Sequence, residues 1–343
     1  RSTTLQLLNV LDDWTATMDQ GGTIDVVYCD FRKAFDKVPH RRLLQKVEAY
    51  GFSGKVMKWI TEFLIGRRQR VHVNGSFSDW SGVRSGIPQG SVLGPLLFVL
   101  YVNDLPQCVT QSIVYLFADD LKIFHSIFSP EDQAKLQDDI HRVCDWANNY
   151  LLQLHPEKCV SMTVGNNRTG NNYTLSGGQE LQMVESEKDI GVVIDNKLKF
   201  QKHLSEKISK ANKVLGLIWR TFEHKEEKMM LQLYKSLVRP ILEYANQAWA
   251  PHLQKDIEAI ENVQRRATRM IPGLKDMTYP ERLRHLKIPT LAYRRLRGDM
   301  IEFYKITAGI YQESLIANRL QPADAITRGH PRKMQTRRAR LDV

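Results

Sequence analysis

An acidic pair interrupts an otherwise apolar segment of this chain. The segment IVYLFADDLKIF (113–124) contains two apolar runs typical of β-strands, with Asp119 and Asp120 between them. A third carboxylate, Asp30, directly follows another apolar run, IDVVYC (24–29). Carboxylates in such places are costly unless they are solvated, paired or bound to metal. The pattern therefore predicts a sheet that carries acids at the ends of its strands.

These acids have a chemical and a structural interpretation. Strand-ending carboxylates that a sheet brings together can hold two hard cations close to one another. One cation lowers the pKa of an attacking hydroxyl, and both stabilise the charge that develops during phosphoryl transfer. The alternative is that Asp119 and Asp120 only form a hairpin turn. The wider sequence context favours the chemical interpretation.

Further segments stand in a fixed order around the acids. In chain order they are YCDFRKAFDKVPH (28–40), SGIPQGSVLGPLLFVLYVNDL (85–105), LFADDLKIF (116–124), NNYLLQLHPEKC (148–159) and DIGVVID (189–195). Together they resemble motifs A to E of the reverse transcriptases of non-LTR, LINE-type retrotransposons. The stretches LYKSLVRPILEYANQAW (233–249) and IENVQRRATRMI (260–271) resemble the helical thumb of that family. A lone ADD is a weak signal, but the full set is specific.

The resemblance implies an α+β fold, in which the palm of a right-hand polymerase precedes an all-helical thumb. The palm would be a mostly antiparallel sheet with helices on one face. We expect residues 21–200 to form the palm and 201–318 the thumb, because strand signals stop near residue 200 and amphipathic helices follow. Residues 1–20 would be a remnant of the fingers–palm junction, and 319–343 a basic, mobile tail. The fingers are expected to be largely missing.

The resemblance also assigns catalytic roles. Asp30 and Asp119 match the two metal-binding aspartates, and Asp120 matches a third acid that supports the site. The backbone carbonyl of Phe31 would be a further ligand of two Mg²⁺ ions, for which Mn²⁺ is a possible substitute. Lys158 matches the motif D lysine, which can protonate the pyrophosphate leaving group. An ordinary surface lysine is the alternative at this position.

Three more residues match substrate-binding positions. Phe35 lies where the family has an aromatic ring that excludes a ribose 2′-hydroxyl, so deoxynucleotides would be preferred. The alternative is a core phenylalanine. Gln89 and Gly90 match the motif B loop, which lies beside the incoming nucleotide and the templating base. The alternative for this loop is a turn that contains glycines for conformational reasons only.

The charge of the chain agrees with a nucleic-acid partner. Its formal net charge is +11 and its pI is near 9.4, which favours a polyanion, although a basic enzyme without one is the alternative. The implied partners are an RNA template and a DNA primer, held as an RNA–DNA duplex, and deoxynucleoside triphosphates. The longest apolar run, 92–102, is too short to cross a bilayer. We therefore expect no membrane partner. The cysteines form no C-x-x-C pair, which favours a reducing, intracellular location, in nucleus or cytoplasm.

The predicted function is RNA-directed DNA synthesis, the transfer of nucleotides to a primer 3′-hydroxyl in a retroelement. Two alternatives stay open at this point. One is a truncated relic that binds nucleic acid but is catalytically weak or inactive. The other is an intron maturase or telomerase-like enzyme, against which the motif B wording and the thumb stretches argue. Without fingers and without the family's endonuclease domain, weak or absent polymerase activity is expected for the chain alone.

Overall fold

The computed structural model describes residues 2–165 and 171–311. The predicted basic tail, 319–343, lies outside the described residues. The chain forms two compact units. The sheet unit is Gln20–Glu187, and the helical unit comprises the described residues within Arg1–Asp19 and Lys188–Val343. The sequence-based ranges for palm, thumb and tail stay predictions.

The strands and helices alternate through the first unit, whereas helices dominate the second. The strands are β1 (Thr23–Cys29), β2 (Arg68–Gln69), β3 (His72–Val73), β4 (Ser76–Phe77), β5 (Ser81–Gly82), β6 (Ile113–Phe117), β7 (Asp120–Ile127), β8 (Val160–Val164), β9 (Gln182–Met183), β10 (Ser186–Asp189) and β11 (Val192–Asp195). The helices are α1 (Thr3–Asp19), α2 (Ala34–Lys37), α3 (His40–Ala49), α4 (Gly54–Leu64), α5 (Leu93–Val102), α6 (Pro130–Asn149), α7 (Gln201–Thr221), α8 (Glu227–Leu233), α9 (Arg239–Glu243), α10 (Asn246–Trp249), α11 (Gln254–Arg269), α12 (Tyr279–Leu286) and α13 (Leu291–Thr307).

A five-stranded sheet in the order β6-β7-β1-β8-β9 forms the centre of the sheet unit. Its pairs are antiparallel except for β8 with β9. The central strand β1 is almost wholly buried, which explains its run of β-branched residues. One face of the sheet, with Val27, Cys29 and Ile123, packs into a core with residues of α3, α5 and α6. The predicted α+β fold is confirmed.

Local signals explain why α6 follows β7. Ser129 and Asp132 form a capping box, with Pro130 at the first helical position. The helix ends at Asn149. The chain reverses there through Leu151, whose positive φ of 56° is incompatible with a continued helix.

A buried carboxylate of α6 fixes the entry into β6. The side chain of Asp139 is fully buried and accepts hydrogen bonds from the backbone N–H groups of residues 110–112, at 2.7–3.0 Å. Arg142 also donates to it at 2.8 Å. Burial raises the pKa of Asp139, but these backbone hydrogen bonds outweigh burial and hold the pKa below its usual value. The charged form therefore stabilises the fold.

Replacing Asp139 by asparagine is expected to lower the free energy of unfolding by about 2–4 kcal/mol. An amide has one acceptor oxygen where the carboxylate has two, so buried N–H groups lose their partners. Asp138→Asn is the matched control because Asp138 is exposed on the same helix. Urea unfolding of both variants measures the difference, and equal stabilities would contradict this role for Asp139.

The helical unit contains a two-stranded hairpin, β10 with β11, besides its helices. One helical segment is interrupted: a π-helical turn, Tyr234–Val238, joins α8 to α9. Pro240 contributes to this break because it has no N–H to continue the helical pattern. The sequence analysis also missed α12, although its Thr278–Glu281 capping box with Pro280 is a recognisable start signal.

A buried histidine makes the helical unit sensitive to acid. His203 is fully buried, its Nδ1 accepts the Val193 N–H at 3.0 Å, and its ring packs against Trp249. Burial, together with the positive charge of Lys207, lowers the pKa of His203 from 6.5 to about 4. The unfolded chain therefore binds this proton at higher pH than the folded chain does. The stabilisation is complete above pH 6.5 and is lost as the pH falls through 6.5 towards 4.

We expect this single group to cost about 3 kcal/mol of stability across that pH range. His203→Gln removes the titration and should flatten the pH dependence of unfolding between pH 6.5 and 4. His224→Gln, at an exposed position, should keep the wild-type slope. Thermal unfolding at several pH values tests this, and identical slopes in the two variants would exclude His203 as the cause.

Candidate active site

A cavity of about 560 Å³ in the sheet unit brings predicted site residues together. Seven of them line it: Asp30, Phe31, Phe35, Gln89, Gly90, Asp119 and Lys158. The eighth, Asp120, is exposed and is not among the lining residues. Residues that are 128 positions apart in sequence, from Asp30 to Lys158, thus share one surface.

The strand register explains how the acids approach one another. Cys29 of β1 pairs with Leu121 of β7, so Asp30 and Asp120 lie at the same end of two neighbouring strands. Asp119 occupies the tight turn that joins β6 to β7. The turn needs a positive φ of 53° at Ala118, a conformation that non-glycine residues rarely adopt. Such strain is often found where a turn positions functional groups.

The backbone around Asp30 also directs a carbonyl group. Phe31 and Leu154 form an antiparallel bridge in which the bonds are made by their neighbours, Arg32 N–H to Gln153 O at 2.8 Å and His155 N–H to Asp30 O at 2.7 Å. In a pair of this kind, the N–H and C=O of the central residues point away from the partner. The Phe31 carbonyl is therefore directed to the side of β1 on which β7 lies.

Lys158 forms an ion pair with Asp30. Its Nζ lies 2.9 Å from Asp30 Oδ2, an oxygen that is buried and makes no hydrogen bond of good angle within the described chain. The two charged atoms are close, but their angles are not those of a hydrogen bond. The contact is therefore mainly electrostatic. A 3₁₀ turn, Pro156–Lys158, presents this lysine, most of whose side chain is exposed.

The donor atoms of the cavity fit a hard divalent cation. Over residues 2–165 and 171–311, no three side chains of His, Cys, Asp or Glu are grouped closely enough to form a metal site by themselves. The carboxylates of Asp30 and Asp119 and the Phe31 carbonyl are nevertheless oxygen ligands, which Mg²⁺ prefers. Magnesium is commonly bound by one or two carboxylates, with water and substrate phosphates as the other ligands.

Aromatic and amide side chains also line the cavity. The Phe35 ring stacks on Phe98 of α5, with 4.5 Å between ring centroids, which fixes its orientation. Gln89 Nε2 donates to Asp36 Oδ1 at 3.1 Å, so its amide is also held in place. The cavity is also lined by Asp36 and Lys33, which are not among the predicted site residues.

A short backbone pairing joins the segment after β1 to the segment before α5. Ile87 N–H donates to Phe35 O and Gly86 N–H to Val38 O, each at 2.8 Å. The Gly86 carbonyl in turn accepts from His40 Nε2 at 2.8 Å and from Arg67 at 2.9 Å. This pairing holds the segment of Phe35 against the segment of Gln89, and both residues line the cavity. The roles of His40 and Arg67 could not be predicted from the sequence, because their partner is a backbone atom.

The predicted motif E turn belongs to the helical unit, where two side chains hold it. Ile190 and Gly191 adopt positive φ angles of 43° and 83° between β10 and β11. The Tyr244 hydroxyl donates to Ile190 O at 2.9 Å, and Lys207 Nζ donates to Gly191 O at 3.0 Å. A Cβ at Gly191 would lie 3.1 Å from the Tyr244 ring, so glycine permits this contact.

The family can be stated from comparison with known proteins. Residues 5–218 match the family model described as reverse transcriptase (RNA-dependent DNA polymerase). The chain belongs to this family, and the resemblance to retroelement reverse transcriptases that its motifs indicate is confirmed. Members of this family generally use divalent metal ions.

Relatives come from mobile elements of insects. The chain is 26% identical, over 98% of its length, to a probable RNA-directed DNA polymerase from transposon X-element of Drosophila melanogaster, and covers 37% of that protein. It is 28% identical, over 91% of its length, to the RNA-directed DNA polymerase from mobile element jockey of the same species, and covers 35% of it. The chain thus spans little more than a third of the length of the curated relatives it matches.

Solved structures with some likeness include telomerases of yeasts. A telomerase of Candida tropicalis in complex with a TWJ fragment of telomeric RNA aligns with a TM-score of 0.46 and 12% identity. The alignment covers 80% of this chain and 43% of that one.

Among the helices that the structure describes, none has the length and apolarity needed to span a bilayer.

Proposed function

We propose that the cavity is the nucleotidyl-transfer site of an RNA-directed DNA polymerase. The observation that carries the proposal is the grouping of Asp30, Asp119, Lys158, Phe35 and Gln89 around one cavity. These residues come from separate motifs, and the family to which the chain belongs uses such motifs for one reaction. The reaction joins a deoxynucleotide to a primer 3′-hydroxyl and releases pyrophosphate.

The acids would hold two Mg²⁺ ions, with Mn²⁺ as a possible substitute. Asp30, Asp119 and the Phe31 carbonyl supply the ligands, and Asp120 supports the site from the neighbouring position. Bound ions would lower the pKa of the primer hydroxyl and offset the charge that develops on the phosphoryl oxygens. The strained turn at Ala118 keeps the Asp119 carboxylate at the cavity before any ligand arrives.

Lys158 has two successive roles in this proposal. In the free chain it neutralises Asp30, which limits the cost of a partly buried carboxylate. Bound cations would offset the Asp30 charge, and Lys158 would then be free to contact the triphosphate. There its ammonium group donates a proton to the pyrophosphate leaving group.

Phe35, Gln89 and Gly90 would select and orient the nucleotide. Because Phe98 fixes the Phe35 ring, the ring cannot turn aside for a ribose 2′-hydroxyl, which favours deoxynucleotides. Asp36 holds the Gln89 amide in place. Gln89 would contact the nucleotide and the templating base. Gly90 adds open space at a positive φ of 78°, which allows the backbone to approach a substrate closely.

The proposed partners are an RNA template, a DNA primer and deoxynucleoside triphosphates. The net charge of +11 supports binding of a polyanion. Contacts to the duplex would be mainly to phosphate and 2′-hydroxyl groups and would carry little sequence information. Such substrates occur in the nucleus or cytoplasm, so we propose an intracellular location.

Primer extension tests the proposed function. The chain is incubated with a DNA primer on a homopolymeric RNA template, with deoxynucleotides and Mg²⁺ or Mn²⁺. Extension that requires the metal and favours deoxynucleotides over ribonucleotides is the expected result for an active polymerase, and it would show that the weak or absent activity expected for the chain alone is wrong. A chain that binds the duplex but never extends it, at any metal or protein concentration, would be the nucleic-acid-binding relic instead.

A further inference from the structure

An exposed β-hairpin extends from the sheet unit just before the motif B segment. It consists of β2 to β5, and every residue from Arg68 to Gly82 is exposed. At its tip, Asn74 and Gly75 both have positive φ, as a tight type I′ turn requires. Near the tip, β3 pairs with β4 and places His72 opposite Phe77. Further from the tip, β2 pairs with β5 and places Gln69 opposite Ser81.

The hairpin bears a continuous stack of flat groups. The His72 and Phe77 rings stack with 4.3 Å between centroids. The Arg70 guanidinium lies 3.9 Å from the Phe77 ring centroid and 4.6 Å from that of Trp80. Four side chains thus form one ladder of rings and guanidinium, in the order His72, Phe77, Arg70, Trp80. Cross-strand pairs and cation–π contacts hold this ladder together.

The ladder ends in an accessible surface. Trp80 is 57% exposed although Arg70 contacts its ring, and Phe77 is 56% exposed. A two-stranded hairpin gains little stability from water-exposed rings and is marginal by itself. Large contiguous apolar exposure of this kind marks an interaction site.

The charge of the hairpin defines the kind of partner. Arg68, Arg70 and Arg84 are all exposed on it or at its base, against one acid, Asp79. Flat rings beside arginines suit bases and phosphates, because every base has a π-face and every nucleotide a negative charge. An acidic or purely apolar partner would match only one of these two features.

We propose that this hairpin is a docking site for single-stranded RNA, in which an unpaired base continues the ladder on Trp80. The hairpin leads at Ser85 directly into the pairing that forms the cavity wall, where Ser85 Oγ donates to Asp36 O at 3.0 Å. RNA on the hairpin is thus held next to the cavity. If the proposed polymerase function holds, this strand is the unpaired template, but the binding itself needs neither metal nor nucleotide.

Binding of a labelled oligouridylate to the whole chain, followed by fluorescence anisotropy in EDTA, tests the proposal. Trp80→Ala should weaken binding about tenfold, and Trp80→Phe should restore most of the affinity because a ring remains. Trp59→Ala is the matched control: Trp59 is 54% exposed in the same unit but lies on α4, away from the ladder. Arg68→Gln should reduce the salt dependence of binding by about 0.7 of an ion.

Two results would overturn the proposal. One is an affinity for oligouridylate that is equal in the wild type, Trp80→Ala and Trp59→Ala. The other is no RNA binding together with self-association or protein binding that Trp80→Ala abolishes, which would identify a protein-docking surface. This test is independent of the proposed function. An inactive chain that binds RNA through Trp80 supports the inference about the hairpin. An active polymerase whose RNA affinity does not depend on Trp80 refutes the inference about the hairpin and leaves the proposed function standing.

Discussion

Replacement of Asp119 by asparagine is expected to lower the rate of primer extension about a thousandfold or more. Asparagine keeps the size of the side chain and its place in the turn between β6 and β7, so the fold should persist. It removes one of the three carboxylate charges that line the cavity, those of Asp30, Asp36 and Asp119. A neutral amide is a poor ligand for a hard divalent cation, and the charge of the transition state is then not offset.

Asp145→Asn provides the control, since Asp145 is an exposed carboxylate of α6 outside the cavity. Both variants should unfold at the wild-type urea concentration, so that a difference in extension reports chemistry only. Single-turnover extension at saturating Mn²⁺ gives the rate. If Asp119→Asn and Asp145→Asn extend primers equally well, the assignment of Asp119 is wrong.

Gly86→Ala is expected to be the most destabilising single-methyl change in the sheet unit, at about 3 kcal/mol or more. Gly86 has a φ of 87°, and an added Cβ would lie 2.6 Å from the Asp36 carbonyl oxygen and 2.8 Å from its Cα. These are backbone atoms of the paired segment, which cannot move without breaking the pairing with Val38. The change therefore separates the two segments that hold Phe35 and Gln89.

The control for this prediction is Gly90→Ala. Gly90 has a similar φ of 78°, but a Cβ there meets nothing within 4 Å. It should carry only the conformational cost, about 1 kcal/mol. Urea unfolding distinguishes the two sites, and equal losses would show that the contact with Asp36 does not limit this position.

The sequence predicted the elements of the site better than their contacts. The apolar runs and the order of the motifs predicted the central strands, because local patterns determine such features. Asp119 and Asp120 were expected together in the turn, but Asp120 is the first residue of β7. A one-residue shift of this kind depends on the strand register, which pairing with β1 sets.

Contacts between segments that are far apart in the sequence could not be predicted from it. The pairing of Lys158 with Asp30, the clash that keeps Gly86 a glycine and the bond from Gln89 to Asp36 all join different motifs. Nothing in a local pattern encodes such pairs. Buried carboxylates such as Asp139, and Asp25, which accepts from Thr163 and Tyr173 at 2.6 Å, gave no sequence signal either.

The central claim is that Asp30 and Asp119 jointly bind divalent cations in the cavity, and titration with Mn²⁺ tests it most directly. The electron paramagnetic resonance signal of free Mn²⁺ reports how much metal the chain binds, independently of catalysis. We predict a saturable site in the wild type and in Asp145→Asn that is lost in Asp30→Asn and in Asp119→Asn. Equal Mn²⁺ binding by all four proteins, or none by the wild type, would contradict the account.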